Sequence, residues 1–314
     1  MTRPSTPERT RPAHAPAAAP YGERSRVAYL FLSPWIAGAA LLTVGPMLAS
    51  LYLSFTDYDL FTSPEFTGLE NYRRLFTEDP HFLAAVWATV RYVVLSVPVQ
   101  LVAALAVAVL LNRASRMQGF YRSAFYAPSL LGASVAVALV WRALFSAGGA
   151  ADRVLSLVGI RTGGWVTDPD LALLVLVLLG IWQFGAPMVI FLAGLKQIPP
   201  ELYDAAAVDG AGRWRRFLSI TLPMLSPVIF FNLVLDTIRA FQVFNAAFIV
   251  SSGTGGPGDS TLFYTLYLWQ KGFVDFRMGY ASAMAWLLLA GIALVTLLIF
   301  RSARSWVHYG GEER

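Results

Sequence analysis

Four charged side chains fall inside long apolar stretches of the sequence: Arg91, Arg142, Asp236 and Arg239. A charge at the centre of a bilayer costs at least about 2.5–3.5 kcal/mol, so such residues usually face a cavity or a partner. Asp236 and Arg239 are three residues apart, which puts them on one helical face where they can neutralise each other. They could line a polar pathway or form a buried pair that fixes helix packing. Arg91 and Arg142 are nearer the ends of their stretches and could extend to the membrane surface.

Between Phe230 and Asn245, aromatic and amide side chains are mixed on both sides of this pair. A helix that faces only lipid would not contain such a mixture. Sugars suit such a mixture, because their C–H faces stack on rings and their hydroxyl groups need amide or carboxylate partners. Ordinary packing is the alternative, since Asn and Gln also hydrogen-bond between helices. The candidate residues are Phe241, Gln242 and Asn245, with Trp182, Gln183 and Phe184 in an earlier stretch.

Several kinds of chemistry are excluded by composition. The chain has no cysteine, so it cannot form disulfides, cysteine zinc sites or thiol nucleophiles, and its three histidines are far apart in sequence. Neither lysine, Lys196 or Lys271, is followed by Ser or Thr, so there is no P-loop for ATP hydrolysis. We therefore expect no catalytic residue, no metal and no cofactor. An intramembrane enzyme finds little support, because no nucleophile–base pair is recognisable.

The elements that must position these residues are membrane-spanning helices. The chain is 56% hydrophobic and only 14% charged, against roughly 25% charged residues in soluble domains. Six apolar runs each supply about the 20 residues that cross a bilayer as a helix. The sequence therefore predicts an all-α transmembrane fold with six spans, which lie at about 27–55, within 82–111, within 124–145, and at about 171–195, 222–250 and 280–300.

The distribution of Lys and Arg predicts the orientation of these spans. With the N-terminus inside, the inner segments carry 15 of these residues and the outer loops six. The positive-inside rule then places both termini in the cytoplasm. We expect a disordered cytoplasmic tail at residues 1–25, a first span and outer loop at 26–81, a core of five spans at 82–302 and a second tail at 303–314.

The most polar interior segment, residues 201–227, falls between the fourth and fifth spans, on the cytoplasmic side. It is too charged to cross a bilayer. Its Ala-rich centre, followed by Gly210 and Gly212, predicts a short helix and a turn that contact a partner at the membrane surface.

This segment resembles the EAA loop of ATP-binding-cassette (ABC) importer permeases. Asp204-Ala205-Ala206 is followed by Gly210, and later by Ile220, Leu222 and Pro223, at the spacing of that loop. Asp204 stands where the family usually has Glu. Further segments resemble the sugar-uptake branch, of the maltose and glycerol-phosphate type: GLENYRRL (68–75), LKQIPPELYDAA (195–206), GGPGDST (255–261) and GYASAMA (279–285).

The resemblance implies the fold of a type I ABC importer permease, in the cytoplasmic membrane of a bacterium. It also implies a second homologous permease, an ABC ATPase dimer, an extracytoplasmic sugar-binding protein and a sugar substrate as partners, and no nucleic acid. Asp204 would contact the ATPase, and Gly210 would form the turn after the coupling helix. The implied coupling residues are Glu201, Asp204, Ala205, Ala206, Asp209, Gly210 and Pro223, and the implied pathway residues are Phe241, Gln242, Asn245, Trp182, Gln183 and Phe184. Asp236 and Arg239 join the candidate pathway because of their charge, not because of the resemblance.

An ion-coupled secondary transporter of a polar solute is the alternative function. Asp236 and Arg239 would suit it, but the inverted repeats that such folds often contain are not apparent here.

Overall fold

The computed structural model describes residues 22–112, 117–132, 134–157, 159 and 163–308, with side chains from residue 28 onward. The predicted N-terminal tail lies outside these ranges as far as residue 21, and the last six residues of the predicted C-terminal tail also lie outside them. Helix α1 begins at Gly22 and the last helix ends at Trp306. Residues up to Ser50 form one compact unit and those from Leu51 another.

The described residues of the first unit are helical. Helix α1 (Gly22–Ala39) continues through a π-helical turn (Ala40–Val44) into α2 (Gly45–Leu53), which crosses the unit boundary. The sequence predicts a bend here because of Pro34 and Pro46. The π-turn lies between these two prolines, and Pro46 has no N–H to donate to the preceding turn.

A short hairpin and a helix follow. Strand β1 (Thr56–Asp57) pairs antiparallel with β2 (Glu65–Phe66), and α3 (Glu70–Thr77) comes next. The buried Asn71 side chain donates hydrogen bonds to the Ser54 and Thr56 carbonyls at 3.0 and 2.8 Å. This amide therefore fixes α3 against the start of the hairpin.

The long helix α4 (Pro80–Leu111) is the centre of the second unit and packs against α8, α9 and α12. Asp79 caps its first turn by accepting the His81 and Phe82 N–H groups at 3.1 and 3.2 Å. Its buried face carries small residues at helical spacing, including Ala85, Ala104 and Ala108, which let neighbouring helices approach closely.

Helices α5 (Gln118–Leu131), α6 (Val135–Phe145) and α7 (Ala150–Leu157) follow. The prediction of one span over 124–145 is wrong between Leu131 and Val135, because α5 ends there and Ser134 caps α6. The segment long enough to span is instead Val135–Leu157. Pro128 and Gly132, near the end of α5, are the residues that favour this break.

The predicted fourth span is a pair of helices, α8 (Pro169–Trp182) and α9 (Gly185–Leu195), bent by 41° at the break. Helix α10 (Pro200–Val208) and a short α11 (Arg213–Arg216) lead through a π-turn (Phe217–Thr221) into α12 (Leu222–Phe241). The predicted fifth span ends early, because α13 (Asn245–Val250) is a separate helix. The chain finishes with α14 (Tyr264–Trp269), a π-turn and α15 (Met278–Trp306).

Within the described residues, five helical segments are long and apolar enough to cross a membrane, and the bent pair α8–α9 makes a sixth. The only strands there are β1 and β2. The all-α transmembrane fold predicted from hydropathy is therefore confirmed, although three of its spans contain breaks that hydropathy does not reveal.

Candidate functional sites: a polar cavity and a surface helix

A cavity of about 210 Å³ lies among α4, α5, the α8–α9 break, α12 and α13. Its apolar lining includes Leu176, Leu179 and Val243. Polar side chains come from four different helical segments, so only the folded chain brings them together. They are Tyr92, Ser96, Gln100, Ser129, Gln183, Asp236 and Arg239.

Asp236 and Arg239 form a loose pair at this cavity. The Asp236 side chain is 5% exposed and that of Arg239 is 65% exposed, with 3.6 Å between Oδ1 and the nearest guanidinium nitrogen. That distance is longer than a hydrogen bond. The other carboxylate oxygen, Oδ2, is enclosed and has no hydrogen-bond partner among the described residues. The pair therefore leaves a buried acceptor unsatisfied, which normally costs about 1–3 kcal/mol or more.

The break between α8 and α9 is held by Ser129 of α5. Its hydroxyl donates to the Gln183 carbonyl at 2.9 Å and accepts the Ala186 N–H at 3.0 Å. At Gly185 the helices touch, because a Cβ there would lie 2.5 Å from the Phe125 carbonyl oxygen. The break and this contact together put the Gln183 side chain at the cavity.

Three predicted pathway residues thus come together at one cavity: Gln183, Asp236 and Arg239. The structure positions the others elsewhere. Trp182 packs on Trp141 and Phe184 on Phe125, with ring centroids 5.6 and 6.0 Å apart. Phe241 lines a separate, apolar cavity beside α15, and Gln242 and Asn245 are exposed where α12 gives way to α13.

Sequence reasoning did not identify four of the polar lining residues. Tyr92, Ser96 and Gln100 are each four residues apart, so one face of the apolar stretch 82–111 carries three polar groups. That periodicity was a usable signal. Ser129 gave no comparable signal, because its role depends on the break in a helix distant in sequence.

The polar segment 201–227 contains the predicted short helix, α10, and its turn. Gly210 has φ +72°, in the left-handed region that favours glycine. The Ala211 N–H returns to the Ala206 carbonyl at 2.9 Å, which closes the end of the helix. Of the predicted coupling residues, Glu201, Asp204, Ala205, Asp209 and Gly210 are exposed, and Ala206 and Pro223 are half-buried.

One side-chain contact joins α10 to the π-turn that enters α12, and a second joins the turn after α10 to α11. The Tyr203 hydroxyl lies 2.9 Å from the Thr221 hydroxyl, at the end of the π-turn that enters α12. The Arg216 Nε donates to the Ala211 carbonyl at 2.7 Å, which fixes the turn on α11. The helix α10 is therefore connected through Thr221 to the start of α12, the helix that carries Asp236.

The sequence profile described as "Binding-protein-dependent transport system inner membrane component" matches residues 80–307, well over half of the chain. The chain belongs to this family of permeases. Because the family's members are inner-membrane components and the chain has several spanning helices, this permease is a multi-pass membrane protein.

Relatives extend over nearly the whole chain. The "Probable ABC transporter permease protein YesP" of Bacillus subtilis is 51% identical over 91% of this chain and 93% of its own length. The permease for lactose, LacF of Rhizobium radiobacter, is 33% identical over 88% and 93%. The arabinooligosaccharide permease AraP of Bacillus subtilis is 30% identical over 88% of each chain.

A solved structure has the same fold. A chain of a bacterial ABC transporter involved in the import of the acidic polysaccharide alginate superimposes with a TM-score of 0.76, over 90% of this permease and 96% of that chain. Its sequence identity is 22%, so the likeness concerns the fold. The predicted membership in the ABC importer permeases is confirmed by the profile and the relatives together.

Proposed function

We propose that this permease is the membrane-spanning subunit of an ATP-driven importer for a sugar or oligosaccharide. The curated relatives described above include permeases named for lactose and for arabinooligosaccharides, and a further one, SmoG of Agrobacterium fabrum, is named for sulfoquinovosyl glycerol. All three names refer to a sugar or a glycoside as the transported compound. The cavity at Asp236, lined by amide, hydroxyl, carboxylate and guanidinium groups, suits hydroxyl-rich solutes.

The coupling mechanism rests mainly on one observation, the attachment of the exposed helix α10 to α12. ATP hydrolysis requires a separate subunit, because this chain has no P-loop. In the proposed mechanism α10 sits on an ABC ATPase dimer, with Asp204 as its acidic contact and Glu201, Ala205 and Asp209 around it. Closure of the ATPase moves α10, and the Tyr203–Thr221 contact transmits that movement to α12.

Two further partners complete the proposed assembly. A second, homologous permease would cover Gln242 and Asn245, which are exposed in the single chain and would face a pathway between the two subunits. An extracytoplasmic binding protein would deliver the sugar, as the family description indicates. The excess of Lys and Arg in the inner segments supports a topology with both termini and α10 in the cytoplasm.

Reconstitution tests this function directly. The permease pair, the ATPase and the binding protein are assembled in proteoliposomes, and uptake of labelled lactose, arabinotriose and sulfoquinovosyl glycerol is measured with and without ATP. We expect ATP-dependent uptake of at least one of these sugars, and none without the ATPase. Uptake driven by an ion gradient in the absence of the ATPase would instead establish a secondary transporter.

A further inference from the structure

We infer that this permease binds one anionic phospholipid, with an acyl chain in an apolar groove between α4 and α15 and the headgroup phosphate at Arg277. The groove is the apolar cavity noted above at Phe241, with a volume of about 340 Å³. A polar pocket of about 270 Å³ lies at the start of α4 and contains Arg277. The inference does not depend on which solute the permease transports.

The groove offers a ligand only apolar contacts. Two of its lining residues, Thr89 and Tyr264, carry hydroxyl groups, and both hydroxyls have protein partners. The Thr89 hydroxyl donates to the Ala85 carbonyl at 2.9 Å and accepts the Tyr264 N–H at 2.8 Å. The Tyr264 hydroxyl donates to the Met284 carbonyl at 2.8 Å. A sugar or a peptide would leave its own polar groups unpaired in this space, which is costly, whereas an acyl chain has none.

An acyl chain can reach this groove from the bilayer. Leu83 and Leu294 line it and are exposed, and both belong to helices that are long and apolar enough to span a membrane. Gly291 also lines it, and a Cβ there would meet nothing within 4 Å, so the glycine leaves open space. The volume lies in the range of roughly 300–1,000 Å³ that is typical of ligand pockets.

The polar pocket and the groove follow one another along the same helices. On α14, Tyr267 lines the pocket and Tyr264, about one turn away, lines the groove. On α15, Tyr280 lines the pocket and Leu287, about two turns later, lines the groove. Helix α4 begins at the pocket and lines the groove as far as Val90. A phospholipid has the same order, a polar headgroup followed by acyl chains.

The depth of the two sites agrees with this order. Helix α4 has 32 residues, and at about 1.5 Å per residue it is roughly 48 Å long, against about 30 Å for the hydrocarbon core. Its first turns therefore extend into the headgroup layer, where the pocket lies, and the groove lies farther into the hydrocarbon. With the topology proposed above, the lipid belongs to the outer leaflet.

Arg277 is the group in the pocket that is available to a phosphate. Its guanidinium carbon lies 4.6 Å from the centroid of the Tyr280 ring, and no hydrogen bond or ion pair engages the guanidinium within the described part of the chain. A guanidinium can bind a phosphate through two parallel hydrogen bonds. Lys271 lines the same pocket and contacts Asp275 at 2.8 Å, but an ammonium group has three donors and can also serve the phosphate.

The acidic residues of the pocket favour an anionic headgroup over a zwitterionic one, because neither has a free acceptor. Glu78 pairs with Arg73 at 3.1 Å, and Asp79 accepts hydrogen bonds from two tyrosine hydroxyls. His81, which also lines the pocket, lies 2.6 Å from Asp259. The ammonium group of phosphatidylethanolamine would therefore find no acceptor and would be repelled by the basic residues. Phosphatidylglycerol has the phosphate without that ammonium.

Photo-crosslinking tests the site in the assembled transporter. The complex is placed in phosphatidylcholine nanodiscs with a trace of phosphatidylglycerol or phosphatidylethanolamine that carries a diazirine in one acyl chain. Crosslinked peptides of this permease are then identified by mass spectrometry. Phosphatidylglycerol should crosslink to residues 83–90 and 287–295 at least threefold more than phosphatidylethanolamine does. The exposed surface of α5 should not distinguish the two lipids.

Variants separate the two parts of the site. Arg277→Gln should lower crosslinking by phosphatidylglycerol about fivefold, as expected for the loss of one cation beside an anionic lipid, and Arg277→Lys should lower it less. Arg301→Gln alters an exposed arginine near the other end of α15 and should have no effect. Gly291→Leu should fill the groove and reduce crosslinking of both lipids at residues 83–90. Gly119→Leu, at a helical glycine of α5 that also has open space, is its control.

Three results would overturn the inference. The first is equal crosslinking by the two lipids, or unchanged crosslinking by phosphatidylglycerol in Arg277→Gln or in Gly291→Leu; the second of these variants decides if the first lowers the melting temperature. Another is crosslinking of other exposed helices but not of residues 83–90 or 287–295, which would show that a protein such as the second permease covers the groove. The last is loss of crosslinking when the binding protein is added, together with weaker docking of that protein to Arg277→Gln. Arg277 would then bind a carboxylate of the binding protein.

Discussion

The Asp79 carboxylate accepts hydrogen bonds from the Tyr267 hydroxyl, at 2.8 Å to Oδ1 and 2.6 Å to Oδ2, across 188 residues of sequence. The Tyr280 hydroxyl donates to the same carboxylate, which also caps the first turn of α4. Burial alone would raise the pKa of Asp79, but the hydrogen bonds from the two tyrosines and from the Phe82 N–H, with the nearby positive charge of Lys271, together outweigh it and lower that pKa. One carboxylate thus joins the start of α4 to α14 and α15.

Tyr267→Phe should destabilise the permease, because it removes a donor to a charged and partly buried acceptor. The expected loss is about 1.5–3 kcal/mol, the range for hydrogen bonds to charged groups. Thermal unfolding of the purified protein in detergent measures it. Tyr121→Phe, which alters an exposed tyrosine on α5, is the matched control and should have no effect. An equal melting temperature for both variants would show that the Asp79–Tyr267 contact contributes no stability.

The same carboxylate predicts a dependence on pH. Because the pKa of Asp79 is lowered in the folded protein, its contribution is fully present above its unfolded pKa of about 3.9 and is lost as the pH falls through the folded pKa. The melting temperature should therefore decrease below about pH 4, and by a smaller amount in Asp79→Asn. Parallel curves for the two proteins between pH 7 and pH 3 would contradict this.

Gly185→Ala should disrupt the α5–α9 contact, since the new Cβ would lie 2.5 Å from the Phe125 carbonyl oxygen and 2.8 Å from the Tyr126 Cα. Backbone atoms cannot move aside as a flexible side chain can, and overpacking of this kind typically costs about 1–3 kcal/mol. Gly119→Ala is the control, because the Cβ of that helical glycine meets nothing within 4 Å. There, alanine should leave stability unchanged or raise it by about 0.5–1 kcal/mol. Thermal unfolding compares the two, and equal melting temperatures would show that α5 tolerates the extra methyl group.

Hydropathy and the positions of prolines were enough to predict that the chain crosses the membrane as helices, because in a bilayer every backbone polar group must be satisfied within a helix, but they misplaced the third span. They could not predict the break at Gln183. That break depends on the Ser129 hydroxyl, which is 54 residues away in sequence and bonds to both sides of it. Gly185 and Pro187, just after the break, are local signals of it, but the contact with α5 leaves no pattern in the sequence.

Some of the residues that line the cavity could be predicted, because polar residues are conspicuous in apolar helices. Asp236, Arg239 and Gln183 were recognised for that reason, and the structure brings them together. Gln242 and Asn245 have the same composition signal but lie on an exposed surface. Composition cannot distinguish a residue that lines a cavity from one on an exposed surface. Neighbouring positions of a helix point in different directions, so a shift of one or two residues moves a side chain from one environment to the other.

Asp204 is the predicted acidic contact between α10 and the ATPase. Asp204→Ala removes the exposed acidic group of α10 and should abolish ATP-driven uptake while leaving insertion of the permease intact. Asp204→Glu, which restores the residue usual in the family, should retain uptake. Glu65→Ala alters an exposed acid on β2, far from α10 in sequence, and should behave like the unaltered protein. Uptake and co-purification of the ATPase are measured together. Normal values of both in Asp204→Ala would remove this residue from the coupling site.

Asn245 tests the proposed pathway at the break between α12 and α13. Its side chain is exposed in the single chain and no hydrogen bond between side chains holds it in the described structure, so Asn245→Ala should leave folding unchanged. If the side chain faces the transported sugar, the variant should lower the rate of ATP-driven uptake several-fold while the second permease and the ATPase still co-purify. Ser252→Ala, an exposed polar residue just beyond α13, is the control. Loss of co-purification without a change in the uptake rate per assembled transporter would instead assign Asn245 to the interface between subunits.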